Sequence, residues 1–282
     1  MNILIIYTGG TIGMVHDAKS GMLKPFDFAQ ILENVPELKR LDHQLSIHSF
    51  DPVIDSSDMK PEIWLELATL IAQNYEQHDG FVILHGTDTM AYTASALSFL
   101  LENLNKPVVI TGSQLPIGQI RTDAKENLIT AIEIAASQQN GKALVPEVSI
   151  YFDYLLLRGN RSTKAHATKF EAFQSPNCSP LAEAGVHLRF SENTILPTSK
   201  LPFHIHTKMD TAIGSIKLFP GIQPSVVSAI LEDKSSKAII IEAFGSGNTS
   251  TEKWFVDALQ KAINSGKIIV AITQCIGGSV EL

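Results

Sequence analysis

The chain begins with an apolar run that ends at two adjacent glycines. Residues Ile3 to Tyr7 are all apolar, and Gly9, Gly10 and Thr11 follow almost at once. A short unbroken apolar run bounded by glycine predicts a strand buried on both faces, as in a parallel sheet. Open α/β sheets bind ligands at the carboxyl ends of their strands, and adjacent glycines let a ligand approach backbone N–H groups. Thr11 is therefore a candidate nucleophile beside an oxyanion-binding turn, with a purely structural or phosphate-binding turn as the alternative.

Short apolar strands, polar turns and helices then alternate along the chain. A helix carrying Phe28, Ile31, Leu32 and Val35 is predicted before residue 36. Further strands are predicted at 44–53, 81–84, 107–110 and 147–152, and further helices at 61–75, at 91–102 and from Thr122, which is predicted as an N-cap. This pattern predicts an α/β fold with a doubly wound, mainly parallel sheet and right-handed crossovers.

The alternation lapses once, which predicts two domains. We expect an N-terminal catalytic domain at 1–190, a linker at 191–210 and a smaller α/β domain at 211–282. The smaller domain is predicted to hold strands at 213–218, 238–243 and 268–273, with helices at 224–231 and 252–264. Only nine residues follow its last strand, so a strand at the end of the chain would have no covering helix. We therefore expect this smaller domain to be incomplete.

Composition and charge exclude several classes of function. The 282 residues carry a formal net charge of −7, which argues against general attraction to nucleic acid or to an anionic membrane. No apolar run approaches the ~20 residues of a membrane span, and the N-terminus has no secretory signal pattern. The two cysteines, Cys178 and Cys275, are far apart, which favours free thiols in a reducing cytoplasm.

Polar turns recur at equivalent places in the predicted sheet. Three strands end in residues 8–11, 85–88 and 111–114, and an acidic, hydroxyl-rich cluster at 55–58 follows the second strand. Because the ends of parallel strands lie on one edge, these turns predict a functional crevice. Within it, His85 fits a base and a buried, hydrogen-bonded residue equally well.

Two further motifs can be interpreted from their spacing alone. Lys164 is a candidate base, because a hydroxyl nucleophile beside a lysine is a known variant of nucleophile-and-base catalysis; its spacing by itself favours a basic surface loop. His204 and His206 could share a strand face, but no third ligand residue lies near them in sequence, so a solvated strand is favoured. We therefore predict no metal site.

The four motifs together resemble those of the bacterial-type L-asparaginases, most closely the cytoplasmic type I branch. They are the segments 7–14 (YTGGTIGM), 55–59 (DSSDM), 85–90 (HGTDTM) and 158–164 (RGNRSTK), and the resemblance covers essentially the whole chain. It implies hydrolysis of L-asparagine to L-aspartate and ammonia without a cofactor. It also implies a cytoplasmic homodimer or homotetramer in which the small domain of a neighbouring subunit helps to complete each active site.

The resemblance assigns roles to individual residues. Thr11 matches the family's nucleophile, and Thr87, Asp88 and Lys164 match its second catalytic triad. The substrate-binding positions that it implies are Gly10, Asp55, Ser56, Ser57, Gly86, Thr87 and Asp88. Many relatives place a tyrosine in the loop after the nucleophile, where this chain has Met22. The proton of Thr11 would then pass to Thr87, Lys164 or water.

Two other functions fit parts of this pattern. The amidase subunit of a tRNA-dependent amidotransferase shares the motifs, but it brings an extra domain, and this acidic chain lacks a basic face for tRNA. A non-catalytic amino-acid sensor could use the same crevice. Binding alone would not require two hydroxyl nucleophile candidates and a lysine, which argues against a sensor.

Overall fold

The computed structural model describes residues 1–16, 23–25 and 35–281 of the chain. The chain divides into two compact units, Met1–Lys208 and Met209–Leu282. Met22 and the predicted helix residues Phe28, Ile31 and Leu32 lie outside the described residues.

The described strands and helices follow the predicted alternation. The helices are α1 (Pro61–Asn74), α2 (Met90–Leu100), α3 (Ala124–Ala136), α4 (Pro224–Leu231) and α5 (Lys253–Asn264). The strands are β1 (Asn2–Tyr7), β2 (Met14–His16), β3 (Leu23–Pro25), β4 (Gln44–Ser49), β5 (Gly80–Leu84), β6 (Leu101–Glu102), β7 (Val108–Thr111), β8 (Gln138–Gln139), β9 (Lys142–Ala143), β10 (Val148–Phe152), β11 (Leu155–Arg158), β12 (Thr163–Lys164), β13 (Phe173–Gln174), β14 (Ala182–Ala184), β15 (Leu188–Phe190), β16 (His204–Ile205), β17 (Ile213–Lys217), β18 (Ala238–Ala243) and β19 (Ile268–Thr273).

The first unit is built on an eight-stranded sheet in the order β15-β14-β11-β10-β7-β5-β1-β4. From β10 to β4 all neighbours are parallel. The opening apolar run forms β1, which pairs with β4 on one side and β5 on the other, with Tyr7 opposite both Ser49 and Leu84. This central position explains why five consecutive apolar residues are needed, because both faces of β1 are covered.

Helices cover both faces of this sheet, as a doubly wound fold requires. On one face Ile3, Ile5 and Tyr7 pack in a cluster with Leu128 and Ile132 of α3. On the other face Leu4 and Ile6 pack in a cluster with apolar side chains of α1 and α2, including Leu67, Ile71, Ala94 and Leu97. The predicted fold class, an α/β doubly wound and mainly parallel sheet, is confirmed.

The sheet continues beyond β10 as three antiparallel strands that the sequence did not predict. Phe152 lies opposite Leu155, so Asp153 and Tyr154 alone connect β10 to β11. Both residues have positive φ, 47° and 68°, which is the geometry of a two-residue hairpin turn. The usual sequence signal for that turn is Asn-Gly, Asp-Gly or Gly-Gly, and with Tyr154 in the second position the hairpin could not be predicted.

Several element boundaries also differ from the predictions by a few residues. The second strand ends at Ser49 rather than at residue 53. Helix α3 begins at Ala124, and Asp123, not Thr122, stands at its N-cap position. The Thr122 hydroxyl nevertheless accepts a hydrogen bond from the N–H of Ala124 at 3.0 Å, so it satisfies an N-terminal donor of the helix. No described helix is long and apolar enough to cross a membrane.

The second unit is a three-stranded parallel sheet in the order β17-β18-β19. Its core contains Ile216, Ile239 and Ile241 from the strands, packed in a cluster with Val227 of α4 and Phe255 of α5. The alternating burial of β18 shows that one face of this small sheet is more deeply covered than the other. The segment 191–210, predicted as a linker, contains β16, which pairs with β6 in the first unit.

Candidate active site

Three of the predicted polar turns lie side by side because β1, β4 and β5 are adjacent and parallel. The backbone N–H and the hydroxyl of Thr8 donate to the carbonyl of Leu84 at 3.0 and 2.9 Å, which ties the end of β1 to the end of β5. The N–H of Ile54 donates to the carbonyl of Thr8 at 2.7 Å, which ties in the segment after β4. The turns that carry Thr11, Asp55 and Thr87 therefore start from one edge of the sheet.

The backbones of the Thr11 and Thr87 turns are in close contact. Gly10 has φ 90°, and a Cβ atom at this residue would lie 2.5 Å from the nitrogen of Gly86. Gly10 also precedes a one-turn 3-10 helix, Thr11–Gly13, which the N–H of Gly13 closes by donating to the carbonyl of Gly10 at 3.2 Å. Glycine at residue 10 thus allows a contact that holds Thr11, which is partly exposed, beside the Gly86 turn.

We expect Gly10→Ala to remove most activity. Its methyl group would need to occupy space taken by Gly86, in a backbone conformation that costs a non-glycine residue about 1–3 kcal/mol. Thermal unfolding and ammonia release, measured on the same preparation, would check this. Gly118→Ala is the matched control, because nothing lies within 4 Å of a Cβ atom at residue 118. Equal effects of the two substitutions would contradict the expectation.

A lysine, a threonine and an aspartate meet at the end of β5. The ammonium of Lys164 donates to the Thr87 hydroxyl at 2.8 Å and to Asp88 Oδ1 at 2.7 Å. The Lys164 side chain is 18% exposed and that of Asp88 is 66% exposed, so the pair opens to solvent on the aspartate side. The three residues predicted as a triad are therefore joined by hydrogen bonds. No hydrogen bond within the described residues joins the Thr11 hydroxyl to any of them.

Lys164 reaches this cluster by an unexpected path. Strand β11 runs antiparallel to β10, with Arg158 opposite Ser149, and so leads away from the edge that carries the turns. A one-turn 3-10 helix, Gly159–Arg161, then passes against α2, where a Cβ atom on Gly159 would lie 3.1 Å from the carbonyl of Ala94. The chain thus returns along α2 to place β12, and Lys164 with it, beside Asp88.

The turn after β4 presents an ionised carboxylate. Asp55 Oδ1 accepts hydrogen bonds from the backbone N–H and the hydroxyl of Ser57, at 2.9 and 2.8 Å. These two bonds hold the pKa of Asp55 below its ordinary value, in that order of size. Ser56 is buried, and its carbonyl accepts a 2.6 Å bond from the hydroxyl of Thr89. The 55–57 turn is therefore attached to the 85–89 turn and carries a negative charge for a cationic group.

His85 is a buried residue rather than an accessible base. It is 0% exposed, its Nδ1 lies 2.7 Å from the carbonyl of Gly86, and its Nε2 lies 2.8 Å from the hydroxyl of Thr93. Burial lowers the pKa of His85 to about 4, and the bond to Gly86 opposes this shift only partly. At neutral pH the ring is uncharged, so of the two interpretations of His85 the buried, hydrogen-bonded one holds.

The depressed pKa predicts a loss of stability in mild acid. In the unfolded chain the His85 ring is protonated below about pH 6.5, whereas in the folded chain it is protonated only below about pH 4. The contribution of His85 to the free energy of unfolding is therefore complete above pH 6.5. It decreases by on the order of 3 kcal/mol as the pH falls from 6.5 to 4. Urea unfolding across this range should show a smaller loss for His85→Asn than for the unsubstituted protein. Identical losses would contradict the prediction.

The remaining predicted turn, 111–114, follows β7, and its hydroxyl groups bond to backbone carbonyls of the protein. The Thr111 hydroxyl donates to the carbonyl of Tyr151 at 2.8 Å, and the Ser113 hydroxyl donates to the carbonyl of Leu115 at 2.6 Å. Both residues are buried, as is Thr8. These hydroxyls shape the crevice without facing into it, so only part of the predicted convergence consists of groups that a ligand can reach.

Two residues that shape this turn were missed from the sequence. The Asp123 carboxylate accepts from the backbone N–H groups of Gln114 and Leu115, at 2.9 and 3.1 Å, and Asn127 donates to the carbonyl of Gly112 at 3.0 Å. The Gln114 side chain donates to the carbonyl of Lys169 at 2.7 Å, which attaches the turn to the segment after Lys164. A carboxylate at a helix start is so common that Asp123 gave no separate signal.

The two histidines predicted not to bind metal lie at the short strand β16, which His204 begins and His206 directly follows. The two rings meet edge to face with centroids 5.5 Å apart, and Nε2 of His206 lies 3.1 Å from Oε2 of Glu102. Among the described residues, no group of three or more histidine, cysteine or acidic side chains could hold a metal ion.

Comparison with known proteins places this geometry in a family. Residues 2–196 match the model described as "Asparaginase, N-terminal", and residues 212–282 match the "Glutaminase/Asparaginase C-terminal domain". The chain is 43% identical to L-asparaginase 1 of Escherichia coli (strain K12), in a match that covers 100% of this chain and 82% of that protein.

Comparison with solved structures supports the same family assignment. The crystal structure of L-asparaginase I from Vibrio cholerae superposes with a TM-score of 0.90 at 42% identity, covering 100% of this chain and 83% of that one. The structure of the probable cytoplasmic L-asparaginase from Campylobacter jejuni gives 0.83 at 28% identity, covering 100% and 85%. The chain therefore belongs to the asparaginase family.

Proposed function

We propose that this chain is an L-asparaginase that hydrolyses L-asparagine to L-aspartate and ammonia without a cofactor, with Thr11 as the nucleophile. One observation carries the proposal. In a member of the asparaginase family, Thr87 and Asp88 lie on the turn whose Gly86 is in close contact with Gly10, the residue before Thr11, and both are hydrogen-bonded to Lys164 of β12. This arrangement puts two hydroxyl groups and an ammonium at one edge of the sheet.

The first half of the reaction forms an ester. The hydroxyl oxygen of Thr11 attacks the side-chain amide carbon. Its proton passes to water, to the neutral amine form of Lys164, or to that amine through the Thr87 hydroxyl, and Lys164 thereby becomes the ammonium. Backbone N–H groups of the glycine turns stabilise the oxyanion, an interaction for which one lost donor typically costs about 2.7–4 kcal/mol. The carbon–nitrogen bond then breaks as the leaving nitrogen takes up a proton, which releases ammonia and leaves a β-aspartyl ester on Thr11.

The second half regenerates the enzyme. Water attacks the ester carbon, the bond to the Thr11 oxygen breaks, and that oxygen takes back a proton as L-aspartate leaves. The Lys164 ammonium, held by Asp88 at 2.7 Å and bonded to the Thr87 hydroxyl at 2.8 Å, is positioned to pass protons along this group in both halves. Positioning several groups in one crevice is itself a large source of rate enhancement.

Substrate selection is assigned to the turns after β1, β4 and β5. The ionised carboxylate of Asp55 and the exposed carboxylate of Asp88 suit the α-ammonium of an amino acid. Ser56, Ser57, Gly10 and Gly86 supply hydroxyl and backbone N–H groups for the α-carboxylate and the side-chain amide. The site therefore suits a small zwitterionic amide.

Ammonia release from L-asparagine, with L-glutamine in parallel, tests the proposal. We expect release from L-asparagine by the purified protein. A non-catalytic sensor would bind L-asparagine, detected by calorimetry, without releasing ammonia. An amidotransferase subunit would need its partner and a charged tRNA for ammonia release. Binding without ammonia release, or release that requires the partner and the tRNA, would contradict the proposal.

We also propose a homo-oligomer in the cytoplasm, as the type I branch that the chain resembles implies. If a neighbouring subunit completes each site, specific activity should fall on dilution below the dissociation constant of the oligomer. Light scattering and activity measured over the same dilution series would check this. A monomer with full activity would contradict it.

A further inference from the structure

The carbonyl of Gly86 is the acceptor of a hydrogen bond from a residue that the reaction itself does not use. Its partner is Nδ1 of His85, 2.7 Å away. A carbonyl oxygen can only accept, so Nδ1 carries the proton in this bond. The ring is neutral at pH 7, because burial lowers the pKa of His85 to about 4, and Nε2 is therefore an acceptor.

The residues behind His85 support that single tautomer. Nε2 of His85 lies 2.8 Å from the hydroxyl of Thr93, and the indole N–H of Trp64 donates to the same hydroxyl at 2.9 Å. An indole nitrogen can only donate, so the Thr93 oxygen accepts from Trp64 and its proton points to Nε2. The chain of bonds thus runs in one direction, from Trp64 on α1 through Thr93 on α2 to His85 and Gly86.

The peptide at the end of this chain needs such an anchor. Ser56 leaves no room for a side chain at residue 86, since a Cβ atom there would lie 2.5 Å from the Ser56 hydroxyl oxygen. Glycine is thus required, but glycine also permits many backbone orientations. Because the peptide unit is planar, fixing the Gly86 carbonyl also fixes the direction of the Thr87 N–H.

We propose that His85 is a positioning residue for catalysis, whose Nδ1–H holds the Gly86 carbonyl and so fixes the Gly86–Thr87 peptide beside Thr11. This inference rests on the proposed asparaginase activity. His85 touches neither substrate nor reacting atoms, and it acts through the backbone of the turn. The orientation it fixes determines where the Thr87 hydroxyl meets Lys164 and where the Thr87 N–H points into the crevice.

Two matched substitutions separate the two bonds of the ring. In His85→Asn the amide nitrogen can replace Nδ1 and keep the bond to Gly86, whereas in His85→Gln the amide oxygen can replace Nε2 and keep only the bond to Thr93. We expect His85→Gln to lose about 10²–10³-fold in kcat, on the scale of a misplaced oxyanion donor. His85→Asn should stay within about tenfold of the unsubstituted enzyme, and KM should change less than kcat in both.

Thermal unfolding of both variants shows whether a loss is merely structural. Equal kcat in the folded His85→Asn and His85→Gln variants would overturn the inference. A rise in KM with kcat unchanged would overturn it as well. The same assay on the unsubstituted protein tests the proposed function separately, because absence of ammonia there would count against the activity and not against the bond. If the variants do not fold, nitrogen-15 NMR of the unsubstituted protein decides: a neutral ring protonated on Nδ1 is expected, and a ring protonated on Nε2 would overturn the inference.

Discussion

Replacement of Thr11 by alanine is expected to reduce kcat for L-asparagine by at least about 10⁴-fold, because removal of a catalytic nucleophile generally costs this much or more. The fold should survive. Thr11 is partly exposed and begins a single 3-10 turn whose closing bond joins the backbones of Gly10 and Gly13. Ammonia release and thermal unfolding of one preparation measure both effects.

Thr11→Ser is the matched control for this prediction. It keeps a hydroxyl on the same backbone and removes only a methyl group, so it should keep measurable turnover and form the same ester. Thr11→Ala with activity near that of the unsubstituted protein would contradict the assignment. A loss shared equally by the alanine and serine variants would show that shape, and not the hydroxyl, is what the site requires.

Replacement of Lys164 by methionine is expected to lower kcat by about 10²–10⁴-fold, the range that positioned proton transfer contributes. Methionine keeps an unbranched side chain of similar length but cannot donate to the Thr87 hydroxyl or to Asp88, which Lys164 reaches at 2.8 and 2.7 Å. KM should rise less than kcat falls, because the Asp55 carboxylate that suits the substrate ammonium is untouched. Steady-state kinetics would separate the two effects.

The chain offers a control with the same ion-pair distance. Lys253 and Asp257 on α5 are also 2.7 Å apart, and both are well exposed. Exposed pairs of this kind contribute about 0–1 kcal/mol to stability, so Lys253→Met should change neither folding nor kcat appreciably. If Lys164→Met and Lys253→Met had the same small effect on kcat, Lys164 would have no part in proton transfer.

The buried strands and their polar turns could be predicted from local sequence. The run 3–7 was unbroken because β1 is covered on both faces, and glycine at residues 9 and 10 was informative because both have positive φ. Strand order was not accessible in the same way. The antiparallel extension of the sheet depends on a turn at Asp153 and Tyr154, and a bulky residue such as Tyr154 rarely has a positive φ.

Some residues of the candidate site could likewise be predicted from the sequence, and others could not. Thr11, Asp55 and Thr87 could be brought together from the sequence, since each follows a strand of one parallel sheet. Lys164 could not, because β11 leads away from that edge and the chain then returns along α2. Only the family resemblance connected Lys164 with Asp88, whereas spacing favoured a surface loop.

Buried hydrogen bonds account for the remaining differences. Thr111 and Ser113 resembled site hydroxyls in the sequence, but their protons go to backbone carbonyls of residues 151 and 115. From the sequence His85 could be a base or a structural residue; in the structure its Nε2 bonds to the Thr93 hydroxyl, which in turn accepts from Trp64. Thr93 and Trp64 are 8 and 21 residues from His85 in sequence and lie on two different helices.

The central claim is that Thr11 forms a covalent ester during turnover. The most direct test is acid quenching of the protein while it hydrolyses L-asparagine, followed by peptide mapping by mass spectrometry. We predict an added β-aspartyl group on the peptide that carries Thr11, absent from Thr11→Ala and lost on treatment with hydroxylamine. An aspartyl group on Thr87 instead, or rapid ammonia release with no acylated peptide at any quench time, would contradict the account.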